Sequence, residues 1–380
     1  MKFLSLCCLT AALAADHHPV PPPGPESGMA NLATSSDGAV YLSWIDPIGP
    51  DGHALRFSIW IGQGWSPAEE VARGKRWFVN WADFPAIAIQ PNGTMFAHWL
   101  TRPDDAGKYG YGIRLARRDG PGKWTQVFTK SLEEKEDYAG FLSFVPDGSG
   151  AVYLAPPPEG GGPEGHRKTL RYVSADGTGD REIDSDVCSC CQTAVVKTPT
   201  GLLAAYRDHQ PGEIRDIAIV RLNAGTWTPP RTVHPDGWKI NGCPTDGPAL
   251  AANGKHVALA WLTRAQDKPR LQLAHSTDAG ATFAPPVRID HGNPLGRPSL
   301  APLDPTADVV VWLEKTTDGN AELRIRRATH TGQLGKSRLV AKVPPGRAAG
   351  VPKVAVAGDQ IIVAWRDGRV RVAVLKKADL

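Results

Sequence analysis

No run of about 18 consecutive apolar residues occurs in this 380-residue chain, so no segment is suited to span a bilayer as a helix. A dominant charge sign is missing too. Lys and Arg number 43 against 39 Asp and Glu, for a net charge of +4. No long basic run occurs, which argues against nucleic acid or an anionic membrane as partner. No segment holds a helical period over a dozen residues. Cysteine is scarce, six in all, yet three of them crowd into "DSDVCSCCQT" at Cys188, Cys190 and Cys191. Turn formers are plentiful, with 40 Gly and 34 Pro, as a chain of many short strands requires.

The N-terminus reads "MKFLSLCCLTAALAADHHPVPPPGPESG". Lys2, a short apolar run and Ala12-Leu13-Ala14 match a secretory signal peptide over residues 1–15. A lipid anchor through Cys7 or Cys8 is the weaker alternative, because Leu6 stands where a small residue is expected. Export to the periplasm or outside the cell is therefore expected, with 16–27 as a Pro-rich leader and 28–380 as one domain. Cys7 and Cys8 leave with the signal. The mature chain keeps Cys188, Cys190, Cys191 and Cys243, an even set in an oxidising compartment.

The strongest signal is a repeat. Seven β-type runs recur: "GAVYLSWID", "GTMFAHWLT", "GAVYLAPP", "GLLAAYRDH", "KHVALAWLT", "ADVVVWLEK" and "DQIIVAWRD". Their marker positions are Trp44, Trp99, Ala155, Tyr206, Trp261, Trp312 and Trp365, spaced 55, 56, 51, 55, 51 and 53 residues apart. A period in the fifties with four strand-like pieces per unit predicts an all-β fold, a single β-propeller. Seven four-stranded blades are expected, with six and one irregular unit as the alternative. The last repeat ends after its third strand, so residues 17–28 are candidates for the missing outer strand, although their prolines suit only an edge.

One turn carries a second motif. "STDAGATF" places Ser276, Asp278, Gly280, Thr282 and Phe283 in the order Ser-x-Asp-x-Gly-x-Thr-aromatic. The Asp278 carboxylate can accept turn N–H groups, and Gly280 can take positive φ. Degenerate copies recur at "DGPGKW", "SADGTG", "AGTW" and "GQGW". The chain thus resembles the sialidase-like Asp-box propellers over nearly all of its mature length. The motif residues themselves are structural.

Propellers work at the channel mouth, where inner strands begin and second strands end. Aligned on the markers, Cys191 and Asp246 each stand fifteen residues before theirs, and Cys188 and Cys243 eighteen before. The same register brings Trp81, Asp83, Asp137, Tyr138, Arg297 and Arg347 to that face. The ends of second strands add Asp46, Arg207, Asp208, His209, Glu314, Arg366 and Asp367.

The resemblance implies a glycan ligand, with exo-glycosidase activity as one outcome. Arg207, Arg297, Arg347 and Arg366, with Asp208, would bind substrate. Asp83 or Asp246 would be the acid/base and Tyr138 the nucleophile. The Phe/Tyr-Arg-Ile-Pro segment typical of the family's first blade is absent, which puts that activity in doubt. No cofactor is required for it. A second reading makes the four cysteines a site for copper or another thiophilic metal, or a redox site. Cleavage after Ala14 or Ala15 would also place His17 or His18 third in the mature chain, a pattern suited to Cu(II) or Ni(II). The bland reading of the cysteines is two disulfides, Cys188–Cys243 and a vicinal Cys190–Cys191. A third reading is a non-catalytic binding propeller. A monomer is expected in every case.

Overall fold

The computed structural model describes residues 24–130, 137–158 and 167–380. The signal, most of the leader, and His17 and His18 lie outside them. The described residues form seven antiparallel sheets in chain order. In the first, Gly28–Thr34, Val40–Ile48, Gly52–Ile59 and Glu69–Lys75 pair in succession from the inside outwards. The inner strands of the next six are Ala86–Ile89, Gly140–Phe144, Ala194–Thr198, Ala249–Asn253, Pro294–Asp304 and Lys353–Ala357. These are the seven blades of a β-propeller, five of them four-stranded among the described residues. The fourth blade's outer strand is split in two, and the seventh shows three strands among the described residues.

The marker runs are the second strands. In the fifth blade all eight residues of His256–Thr263 are buried, because this strand is covered on both faces. Side chains alternate across a strand, so each run serves two interfaces. Val257, Leu259 and Trp261 pack towards the fourth blade. Ala258, Ala260 and Leu262 pack towards the sixth. Seven such clusters span the seven interfaces, and the one joining the seventh blade to the first closes the ring.

The described end of the leader does not supply an outer strand. Residues 24–27 form a turn, and Gly28 begins the inner strand of the first blade. Ser27 Oγ accepts the Val370 N–H at 3.0 Å, so this turn fastens the seam between last and first blades. Residues 17–23 lie outside the described residues.

The Ser276–Phe283 turn joins the third and fourth strands of its blade. Asp278 accepts from Thr282 N at 2.8 Å and from Ser276 Oγ at 2.7 Å, and Gly280 N donates to Ser276 Oγ at 2.9 Å. These groups are engaged with one another, a structural role far from the channel.

Candidate functional site

The inner strands enclose a channel of about 760 Å³. At the end where those strands begin, residues 81–84 of the second blade cover it. Gln192 Nε2 donates to the Ala82 carbonyl at 2.6 Å, and Gln192 Oε1 accepts from Gly247 N at 2.9 Å. The Arg297 guanidinium lies 4.2 Å and that of Arg347 5.9 Å from the Trp81 ring centre. Lys353 Nζ lies 4.0 Å from the Phe84 ring centre. Blades four, six and seven thus hold one short segment of blade two across the mouth. Neither the cap nor the roles of Gln192, Phe84 and Lys353 were evident from the repeat register, which aligns strands but not the loops between them.

The two candidate acid/base residues are tied into this framework, Asp246 through Oδ2 only, its Oδ1 having no hydrogen-bond partner. Asp83 accepts from Phe141 N and from the Tyr111 hydroxyl, both at 2.9 Å. Asp246 accepts from Arg297 N at 2.8 Å. The two latches share one design. Phe141 and Arg297 have positive φ, 52° and 56°, and each follows a glycine pressed against the carboxylate. A Cβ on Gly140 would stand 2.0 Å from Asp83 Oδ2, and one on Gly296 2.2 Å from Asp246 Oδ2. Each Asp therefore ties its blade to the next. Burial pushes the Asp83 carboxyl up to about 7 and that of Asp246 up to about 6.

Tyr138 is likewise engaged. Its ring stacks on Tyr111, its hydroxyl donates to the Ser189 carbonyl, and Lys168 Nζ sits 4.1 Å from its ring centre. Burial pushes its phenol well up, away from a ready nucleophile.

The arginines divide. Arg207 is 2% exposed. Its guanidinium donates to the carbonyls of Asp246, Arg215 and Leu262 and lies 4.6 Å from the Trp238 ring centre. It braces loops rather than facing a ligand, which corrects its reading as a substrate residue. Asp208 is turned onto its own loop, accepting from His209 N and Gln210 Nε2. Asp46 and Glu314 accept the indole N–H of the marker two residues before each. Arg297, Arg347 and Arg366 do gather: the first two face Trp81, and Arg366 lines a small cleft with it.

The four cysteines converge without a bond among them. A turn at 189–190 carries Cys188 and Cys191 at its ends, so their sulfurs stand 3.6 Å apart. The sulfurs of Cys188, Cys190 and Cys191 all lie within 4.8 Å of one another. Cys243, brought by the loop before the fifth blade, meets Cys190. The expected pairing of Cys188 with Cys243 does not match these contacts, because the turn directs Cys188 towards Cys191. Hydrogen bonds from Cys190 and Cys191 hold the Cys188 thiol well below its usual range, with Arg207 and Arg215 adding positive charge. A bond from Cys190 brings Cys243 down to about 7. Cys188 and Cys191 are buried, whereas Cys243 is exposed, so the cluster opens to solvent on one side. Arg215, from the "GEIRDI" run, is the cationic partner that spacing from the markers did not single out.

Neither a family model nor a curated protein matches this chain. Solved propellers do. An ulvan lyase of polysaccharide lyase family 25 superposes with TM-score 0.56 at 12% identity, over 95% of this chain and 93% of that one. An α-L-arabinofuranosidase from Fusarium graminearum gives 0.52 at 14%, over 96% and 98%. A puromycin hydrolase gives 0.56 at 16%, over 95% of this chain and 53% of that one. Sialidases also match, the first at TM-score 0.44, where the alignment takes in 63% of the sialidase's length. Sialidases and other glycan-acting propellers are thus structural neighbours. At these identities the likeness is one of fold.

Proposed function

We propose that this chain is an exported, monomeric binding propeller whose thiol cluster holds a soft, thiophilic ion, copper(I) being the best match. The observation that carries this reading is the meeting of three unbonded thiols, Cys188, Cys190 and Cys191, with Cys243 against Cys190 and Arg207 and Arg215 beside Cys188. Such sulfurs form a donor set for Cu(I) or Zn rather than for hard cations. The cations near Cys188 favour its thiolate, the ligating form. Exposed Cys243 offers the way in. An exo-glycosidase is less well supported, because Asp83, Asp246, Tyr138 and Arg207 are all engaged within the framework.

The test is copper and thiol content of the protein prepared under reducing, anaerobic conditions. One Cu(I) per chain is expected, with binding weakened at least a hundredfold in Cys188→Ser and Cys191→Ser. A reduced chain with four titratable thiols that binds no copper would overturn the proposal. Turnover of a chromogenic sialoside panel is expected to stay at background in both wild type and Asp83→Asn.

A second reading rests on a separate observation, the gathering of Arg297, Arg347 and Arg366 around Trp81. An aromatic face flanked by guanidinium groups suits a carboxylated sugar. Glycan-acting neighbours of the same fold are consistent with such a ligand. Binding of acidic oligosaccharides lost in Arg347→Ala, but kept in Cys188→Ser, would support it.

A further inference from the structure

The opposite end of the ring holds a second cluster, between blades five and six. His256 begins the second strand of the fifth blade (His256–Thr263), and His275 lies near the end of its third (Arg270–Ser276). Asp308 lies near the start of the sixth blade's second strand (Ala307–Lys315), and His330 follows its third (Ala321–Thr329). Second strands start where third strands end, so four residues distant in sequence meet at one seam.

Their inward atoms converge. His256 Nε2 stands 3.1 Å from Asp308 Oδ2 and 3.2 Å from His275 Nδ1. His275 Nδ1 and His330 Nε2 stand 3.8 Å and 3.6 Å from the same Asp308 oxygen. Ligands bound at about 2.0–2.1 Å to a tetrahedral ion lie ~3.3 Å apart, and these separations bracket that value. Asp308 is fully buried. Its Oδ1 has no hydrogen-bond partner. An unpaired carboxylate oxygen this deep is costly, and a cation bound at this carboxylate would relieve it.

We propose that His256, His275 and Asp308 bind one divalent first-row transition ion of the zinc class; their donor atoms all lie within 4.8 Å of one another, while His330 stacks on the His256 ring and lines the rim. Two imidazoles and a carboxylate suit such an ion, not the soft Cu(I) assigned to the thiols. The three ligands come from two blades, so the ion staples blade five to blade six. It stands independently of the thiol cluster, which lies at the other end of the channel.

The test uses the full chain, stripped with chelator and titrated with Co(II), then Zn(II), with its cysteines free or alkylated by iodoacetamide. One Co(II) per chain is expected in the alkylated form, with visible d–d absorption and no thiolate charge-transfer band; any further Co(II) bound by the unalkylated form carries that band. Zn(II) should displace it and raise Tm. Asp308→Asn should weaken Co(II) binding at least tenfold. His275→Gln is expected to weaken it likewise. Absence of stoichiometric binding in the unalkylated protein would overturn the proposal, as would full binding in folded His275→Gln and Asp308→Asn. A site bound only when the cysteines are free would overturn it too.

Discussion

Asp246 and Cys191 occupy the same register position in adjacent blades, each fifteen residues before its marker aromatic. Their side chains have opposite fates. Asp246 turns to the next blade and accepts the Arg297 N–H. Cys191 turns to Cys188. In blade four the neighbouring Gln192 makes the bond to the next blade instead, its Oε1 accepting from Gly247 N. Moving the latch by one residue leaves the thiol uncommitted. A shared position therefore gives a side chain's place in the ring, not whether its polar atoms are already used. Engaged groups hold the ring together, and groups left over are the ones available for ligands.

Breaking an engaged group should have the largest effect. Arg207→Leu removes a buried cation from three backbone carbonyls. We expect a loss of about 3–5 kcal/mol, read from urea unfolding monitored by tryptophan fluorescence. An arginine that instead served a ligand would leave the midpoint in place and change only binding.

The contrast also explains what could be read from the sequence. The apolar second strands and their marker aromatics recur because each is squeezed between two blades, so the repeat reported the architecture and the end at which the cysteines lie. The same register brought Asp83, Tyr138 and Arg207 to that end, but strand position carries no information about rotamer or partner. The latches depend on positive φ at Phe141 and Arg297, bulky residues with no turn signature of their own. The cap depends on contacts of residues 81–84 with blades four, six and seven, which the register does not report. The histidine cluster went unread because its members lie at the other ends of the strands, where no markers were aligned.

A second comparison sets carboxyls against thiols through pH. Asp83 and Asp246, raised to about 7 and about 6 from 3.8, bind protons more tightly folded than unfolded. Stability should therefore fall as pH rises from about 4 to about 7. Cys243, lowered to about 7 from 9, releases its proton earlier in the fold, so its contribution should grow as pH rises from about 7 to about 9 and vanish below. Thermal midpoints across this range should show a falling limb, flattened in Asp83→Asn and Asp246→Asn, and a rising limb, reduced in Cys243→Ser. Limbs that respond to the wrong variants would break the distinction drawn between the two sets.

The smallest effect concerns Lys353, which lies beside Phe84 under the cap. Burial alone brings its ammonium down to about 7 from 10.5, so the charged form is penalised in the fold. Below pH 7 both folded and unfolded states hold the proton, and the penalty is complete. Between about 7 and 10.5 the folded state sheds its proton first, and stability recovers as pH rises. Lys353→Met keeps the stem's packing and removes the charge. We expect a modest rise in Tm at pH 6 that fades as pH approaches 10. A drop in Tm at pH 6 would mean that the ammonium has a partner in the channel. Lys353 would then belong with the engaged groups rather than with those left over.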